Sequence, residues 1–377
     1  MRGALKCIAF LSATFVGQAA PAFLAKTELF ASGEGGYNLY RIPGIVVTAR
    51  GTILAYNEAR RFTGSDWDTI DIVMRRSTDG GVTFSAPSAI AQAPGSVSRS
   101  PVAVERKQGK PNDITYNNPL AIAGRDGTVH FLFCVEYMRV FHMRSRDDGK
   151  TFSTPVEITG AFDSFRPEYA WRVAATGPGH GIELKNGRLV VPVWLSLGAA
   201  GNGHHPSVNA TVYSDDHGAT WRRGDIAMPS TAEFPDPNET AVVELADGRV
   251  MLNVRTQSKE NRRAVVTSKD GATHWSEPHL QQELQDPICF ASLVRLAKDK
   301  LLFANPDDLT RRNLTVRISY DEGASWTVKK VLEPGPSGYS DLSVLPDGTI
   351  LCLYETTDSE KRRLMLARFN EEWLTAH

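Results

Sequence analysis

Short apolar runs alternate with tight polar turns along almost the whole chain. Six apolar runs are entered through a turn: Thr52–Tyr56 after Ala49-Arg50-Gly51, Val129–Phe133 after Arg125-Asp126-Gly127, Leu189–Val193 after Lys185-Asn186-Gly187, Val250–Val254 after Ala246-Asp247-Gly248, Leu301–Phe303 after Lys298-Asp299-Lys300, and Ile350–Leu353 after Pro346-Asp347-Gly348. Asp-Gly and Asn-Gly between apolar runs are strong hairpin signals, because glycine adopts positive φ without a steric penalty.

A second repeat interleaves with the first. It reads S-x-D-x-G-x-[ST]-[WF] and stands intact at Ser77–Phe84, Ser145–Phe152, Ser214–Trp221 and Ser319–Trp326. A worn copy runs from Ser268 to Trp275, with Ala272 at the glycine position and His274 at the Ser/Thr position. Each copy follows a strand-like run such as Leu314–Ile318. The aspartate can accept bonds from the turn's own N–H groups, and the final aromatic can pack back on the hairpin.

The unit is therefore strand, Asp-Gly turn, strand, strand, octamer turn, strand. Four antiparallel strands recurring every ~50–70 residues match one blade of a propeller. Six Asp-Gly-type turns predict an all-β fold, a six-bladed β-propeller of four-stranded antiparallel sheets. The sixth unit has no octamer, so the segment near Thr27–Phe30 is expected to complete it and close the ring. Helix is expected only in short pieces such as Asn370–Leu374. Five inserts break the rhythm, over 60–69, 92–118, 160–178, 198–206 and 228–238. In a propeller such loops gather over one face of the axis, where ligands bind.

Composition narrows the class. The chain has 377 residues and a formal net charge of −1, so no global field recruits nucleic acid. Residues 1–22 have the layout of a secretory signal peptide: Arg2 and Lys6, then the apolar run Cys7–Val16, then small residues from Gly17. The expectation is a secreted or periplasmic protein whose domain spans 23–377, the alternative being an anchor that is never cleaved. No later stretch approaches the ~18 apolar residues of a membrane span. Cys134, Cys289 and Cys352 lie far apart in apolar runs and read as buried thiols. No CxxC or HExxH occurs, so neither metal nor cofactor is expected.

Arg41-Ile42-Pro43 ahead of several such octamers resembles the exo-α-sialidase (neuraminidase) family, whose octamers are called Asp boxes or BNR repeats. The resemblance covers essentially the whole chain after the leader. It implies sialylated glycans as substrates and a monomer without membrane insertion. A sialic acid carries a carboxylate on its anomeric carbon, and arginine suits bidentate carboxylate recognition. By the family pattern Arg41, Arg255 and Arg311 hold that carboxylate, with Arg312 the alternative to Arg311. Arg60 is a further pocket arginine, ahead of Arg61. Tyr339 matches the nucleophile and Glu239 its base. Asp66 matches the acid, with Asp68 the alternative. A neutral phenol avoids the repulsion that a carboxylate nucleophile would meet at this carbon; sialidases with a tyrosine nucleophile are a recognised departure from the usual carboxylate pair of glycosidases. The neighbouring arginines are expected to favour the phenolate. Trp171, Arg172 and His180 either line the pocket or merely pack a loop. A non-catalytic sialoglycan-binding propeller, a relative acting on another nonulosonic acid, and a trans- or intramolecular transferase are the other readings.

Overall fold

The computed structural model describes residues 20–358 and 361–376. The proposed leader over 1–22 falls outside the described residues up to position 19. The fold is all-β with a propeller-like arrangement: the first strands of successive sheets pack on one another, and the strand Leu39–Val47 meets the strand Val328–Val344 to close the circuit. The few helices are single short turns, among them Glu371–Thr375, capped by Asn370 as the pattern predicts. No helix among the described residues is long and apolar enough to cross a membrane.

Four of the six expected units form sheets of their own. They begin at the strands Leu39–Val47, Tyr116–Ala123, Val173–Thr176 and Thr240–Glu244. The last two expected units do not separate, which corrects the expectation of six distinct sheets. They share the 17-residue strand Val328–Val344 and form one seven-stranded sheet. Its first half pairs with Arg312–Ser319, ending at Arg312↔Pro336, and its second half pairs with Ile350–Asp358, starting at Ser337↔Thr356. Where other units have a looping connection, Leu332–Ser337 stays within one strand that kinks at Gly335 (φ 84°), and Pro334 and Pro336 suit that path because they cannot turn into helix. The strand Leu24–Ala31 completes this sheet antiparallel to Lys361–Phe369, as the missing sixth octamer implies.

The octamers fold alike. In the copy at 319–326, Ser319 Oγ donates to Asp321 (2.8 Å), Gly323 N–H donates to Ser319 Oγ (2.8 Å), and Ser325 N–H and Oγ donate to Asp321 (2.8 and 2.6 Å). Glu322 and Gly323 have φ of 60° and 87°, so the turn needs two left-handed residues in succession. The worn copy keeps the plan with one residue fewer: Gly271 N–H donates to Ser268 Oγ (3.2 Å) and Thr273 replaces the usual Ser/Thr on Asp270 (2.8 Å). Asp321→Ala removes three bonds at one turn. It is expected to lower stability by about 1–2 kcal/mol while turnover per folded molecule is unchanged, measured by denaturant unfolding beside an activity assay.

Two buried histidines make stability depend on pH. His130 Nδ1 and His142 Nε2 lie 3.1 Å apart with stacked rings, under the third sheet's octamer at Gly218. Burial pushes His130 down to about 4, against the opposing pull of Asp126 and with Arg144 and His217 adding to the push. Burial, His130 and Arg144 push His142 down to about 3. Unfolded rings protonate near pH 6.5, but the folded ones stay neutral until far lower pH. Stability should therefore fall as pH drops from about 6.5 toward 4, by at most about 1.4 kcal/mol per pH unit for each ring. Unfolding of wild type and His142→Gln at pH 7.5, 6 and 5 tests this; the variant should lose part of the slope.

The three cysteines Cys134, Cys289 and Cys352 are buried free thiols.

Candidate active site

Arg41 enters the site through a distorted strand. The register between Leu39–Val47 and Ile53–Arg60 shifts between Arg41 and Gly44. Ile42 takes φ 59°, a costly conformation for a β-branched residue. Gly44 is needed because a Cβ there would meet the Tyr56 ring at 2.1 Å. The bulge turns Arg41 toward Glu355, whose Oε1 accepts from Arg41 Nε and from the Ile42 N–H, both at 3.1 Å. Glu355 lies within the last hairpin's first strand, Ile350–Asp358, and had no signal in the sequence. Its function is visible only once the two ends of the chain meet. Arg41 and Glu355 keep each other charged: burial opposes it, and their mutual attraction wins for both.

Tyr339 lies just past the changeover in the long strand. Gly338 precedes it because a Cβ would meet Glu355 Oε2 at 2.4 Å. Tyr339 Oη donates to Glu239, with Oε1 at 2.7 Å and Oε2 at 2.6 Å, and accepts from Arg255 Nη1 at 2.9 Å. Arg255 also pairs with Glu239. The guanidinium carbons of Arg41 and Arg311 stand 5.1 and 5.3 Å from the centre of the Tyr339 ring. Arg311 is oriented by the carbonyl of Ile288 (2.9 Å). Arg311 and the alternative, Arg312, are both exposed, but of the two Arg311 stands over the Tyr339 ring.

The expected pull of the arginines toward the phenolate is present, but it does not ionise the resting Tyr339. Burial raises the Tyr339 hydroxyl far above its ordinary value, Glu239 raises it further, and the pull of Arg255, Arg311 and Arg41 does not compensate. A buried phenolate beside a carboxylate costs more than three arginines return, so the proton stays on Tyr339 until a base takes it.

Asp66 and Asp68 divide as the loop's backbone dictates. Asp68 Oδ2 accepts from the N–H groups of Phe62 (3.0 Å), Thr63 (2.5 Å) and Gly64 (3.0 Å), and so staples the loop. Asp66 is free to face the cavity, where it pairs with Arg60 at 2.8 Å, approaches Arg41 at 3.9 Å and accepts from Asn202 Nδ2 at 3.1 Å. Burial would raise its pKa, but Arg60, with help from His204 and Arg41, holds it well below the ordinary carboxylate range. Arg60 is itself gripped by buried Glu58 at 2.6 Å. Arg61 turns away and pairs with Asp71 at 2.5 Å.

These groups line one cavity of about 220 Å³, which holds Arg41, Arg60, Asp66, Glu239, Arg255, Arg311 and Tyr339 together. Its other end is formed by Asn118, Tyr137, Trp194, Asn202, His204 and Asn238. Four of the five inserts contribute to it; the insert over 160–178 does not. His204, which the sequence reading did not assign to the pocket, packs against Tyr137 and Trp194 with ring centres at 4.8 and 5.1 Å. Trp171, Arg172 and His180 are not in this cavity. Trp171 is core, Arg172 pairs with Glu105 at 2.6 Å, and His180 pairs with Asp341 at 2.7 Å. Among the described residues no group of His, Cys, Asp and Glu is arranged to hold a metal ion.

Known proteins resemble this chain over the same span. A family model for a BNR repeat-like domain matches residues 99–352. A sialidase of Micromonospora viridifaciens is 34% identical over 92% of this chain and 54% of its own length. A sialidase of Bacteroides fragilis (strain YCH46) is 31% identical over 86% of this chain and 61% of its own. This chain thus spans a little over half the length of those two relatives. Among solved structures, the Hadza microbial sialidase Hz136 superposes with a TM-score of 0.72 at 26% identity, over 90% of this chain and 67% of that one. On the match to the repeat model and the identity to these relatives, the chain belongs to the sialidase family with BNR repeats.

Proposed function

We propose that this chain is a retaining exo-α-sialidase that removes terminal α-linked sialic acids from glycans through a sialyl-tyrosine intermediate. In this reading the seven-stranded sheet counts as two blades of a six-bladed propeller, and the protein is a monomer. The layout of residues 1–22 supports a secreted or periplasmic address. One observation carries the activity: Tyr339 Oη is hydrogen-bonded to Glu239 and Arg255 in the cavity that Arg41 and Arg311 also line.

The chemistry follows from these positions. Arg41, Arg255 and Arg311 bind the substrate's carboxylate and orient the anomeric carbon against Tyr339. Glu239 takes the phenol's proton as Tyr339 attacks, which answers the high pKa of the buried hydroxyl. Asp66 gives a proton to the leaving sugar and then, as base, activates the water that cleaves the sialyl-tyrosine. Asn202 and Arg60 hold Asp66 in place for both steps.

Incubation with a fluorogenic α-sialoside, with the anomer released first followed by NMR, tests the reading. Release of the α anomer supports it; release of the β anomer, or tight binding without release, would refute it.

A further inference from the structure

The loop that carries Asp66 is tied to a buried ion pair outside the cavity. Arg99 and Glu136 meet at 2.7 Å, with side chains 9% and 0% exposed, and neither lines the cavity. Glu136 also accepts from the N–H groups of Ser100 and Thr115, both at 2.8 Å. The remaining bonds of this group run to the backbone beside Asp66. Arg99 Nη2 donates to the carbonyl of Trp67, the next residue, at 2.8 Å, and to that of Gln108 at 2.9 Å. Thr115, whose N–H is on Glu136, donates its hydroxyl to the carbonyl of Asp68 at 2.7 Å. The two carbonyls that follow Asp66 are therefore fixed by one buried pair and its neighbour.

Trp67 makes a second path to the same carboxylate. Its ring is fully buried and lies against Tyr137, with centres 4.7 Å apart. Its Nε1–H donates to the carbonyl of Asn202 at 2.7 Å, and the side chain of Asn202 donates to Asp66. The hairpin turn that supplies Glu136 is strained. Glu136 and Tyr137 take φ of 57° and 52°, two successive left-handed residues of which neither is glycine nor asparagine. A turn that only joined two strands would favour those residues, and strain of this kind persists where the surroundings fix it. Here it brings Glu136 to Arg99, and Tyr137 to the Trp67 ring and the cavity wall.

We infer that Arg99, with Glu136 and Trp67, is a positioning device for Asp66: it fixes the acid's loop against the inserts over 92–118 and 198–206, so that the carboxyl meets the leaving oxygen. The inference rests on the sialidase reading above, in which Asp66 is the acid. Misplacing a catalytic group by about 1 Å can cost on the order of 100-fold in rate. For an acid the cost grows with the basicity of the departing oxygen, so a loosened Asp66 should show on natural sialosides and hardly on activated ones. A pair that merely held the fold together would not discriminate between leaving groups.

Wild type, Arg99→Lys and Trp67→Phe are compared on a sialyllactose and on a nitrophenyl sialoside, with melting temperatures alongside. Lysine keeps the charge but lacks the rigid fork that reaches Glu136, Trp67 and Gln108 together. Arg99→Lys should lower kcat/KM for sialyllactose about tenfold and that for the nitrophenyl sialoside by less than about twofold. Trp67→Phe keeps an aromatic ring and loses the bond to Asn202. It should act in the same direction by about threefold, and it decides the matter if Arg99→Lys does not fold. In an Asp66→Ala background neither substitution should add to the loss on sialyllactose, because the group being positioned is gone. Equal losses on both substrates, no loss on either, or a loss on sialyllactose that persists without Asp66 would overturn the inference. Asp66→Ala losing equally on both substrates would refute the acid role, and the inference with it. A wild-type protein inactive on both substrates would instead refute the sialidase reading.

Discussion

Replacing Tyr339 with phenylalanine is expected to lower kcat by about 1,000-fold or more and to leave the fold intact. The substitution removes one oxygen. That oxygen donates to Glu239 and accepts from Arg255, so its loss leaves these two paired directly with each other. The Glu239–Arg255 pair therefore keeps a satisfied partner, and substrate binding through Arg41 and Arg311 should persist. The measurement is kcat and KM together with covalent labelling by a fluorinated sialoside that traps the glycosyl-enzyme. Wild type should gain one sialyl adduct on Tyr339 by mass spectrometry, and the phenylalanine variant none. An adduct on Glu239 or Asp66 would show that the nucleophile was misassigned. Glu239→Gln should fall in the range expected for loss of a general base, about 100- to 10,000-fold, because nothing else bonded to the hydroxyl can accept its proton.

Asp66→Ala is the second large effect, and its size should depend on the leaving group. An acid matters most when the departing oxygen is basic. Natural sialosides should lose about 100- to 10,000-fold in kcat/KM, while an activated aryl sialoside should lose far less. The charges around Asp66 sharpen this. Arg60 and Arg41 hold Asp66 as a carboxylate, and a general acid needs a proton. A substrate carboxylate on Arg41 would offset part of that positive charge and raise the pKa of Asp66. Binding of a sialic acid analogue at acidic pH should accordingly take up protons, seen as a buffer-dependent heat in calorimetry, and Asp66→Asn should abolish the uptake. Asp68→Ala makes the contrast. Its carboxylate holds the N–H groups of Phe62, Thr63 and Gly64, so it should lose stability first and activity only through the loosened loop.

Which parts of the site were legible depends on how local their signal is. Arg41, Glu239, Arg255 and Tyr339 stand in short motifs beside hairpin turns, so family resemblance carries them. Asp66 and Asp68 are two positions apart in one loop, and the family resemblance favours Asp66 without giving a physical reason to set Asp68 aside. Backbone hydrogen bonds give one, and those exist only in the folded loop. Glu355 carried no signal, and nothing in the sequence assigned His204 to the pocket. Glu355 acts on an arginine 314 positions away, and His204 gains its place from the packing of Tyr137 and Trp194. The arginines pull Tyr339 toward the phenolate as expected, but how far burial and Glu239 outweigh them was not legible in the sequence.

The sequence by itself determined the repeating strand-and-turn unit, the all-β class and the N-terminal strand that completes the last sheet. These follow from local rules: alternation, positive φ at glycine, and aspartate bonding its own turn. Only the tertiary structure decided that the last two units are one sheet, since Pro334 and Pro336 allow an extended path but do not choose its partners on both sides. It alone also decided which aspartate faces the cavity, what orients Arg41, and where Tyr339 keeps its proton. Each of these is set by groups far apart in the chain, whose distance, burial and charge have no value until the ring of sheets closes.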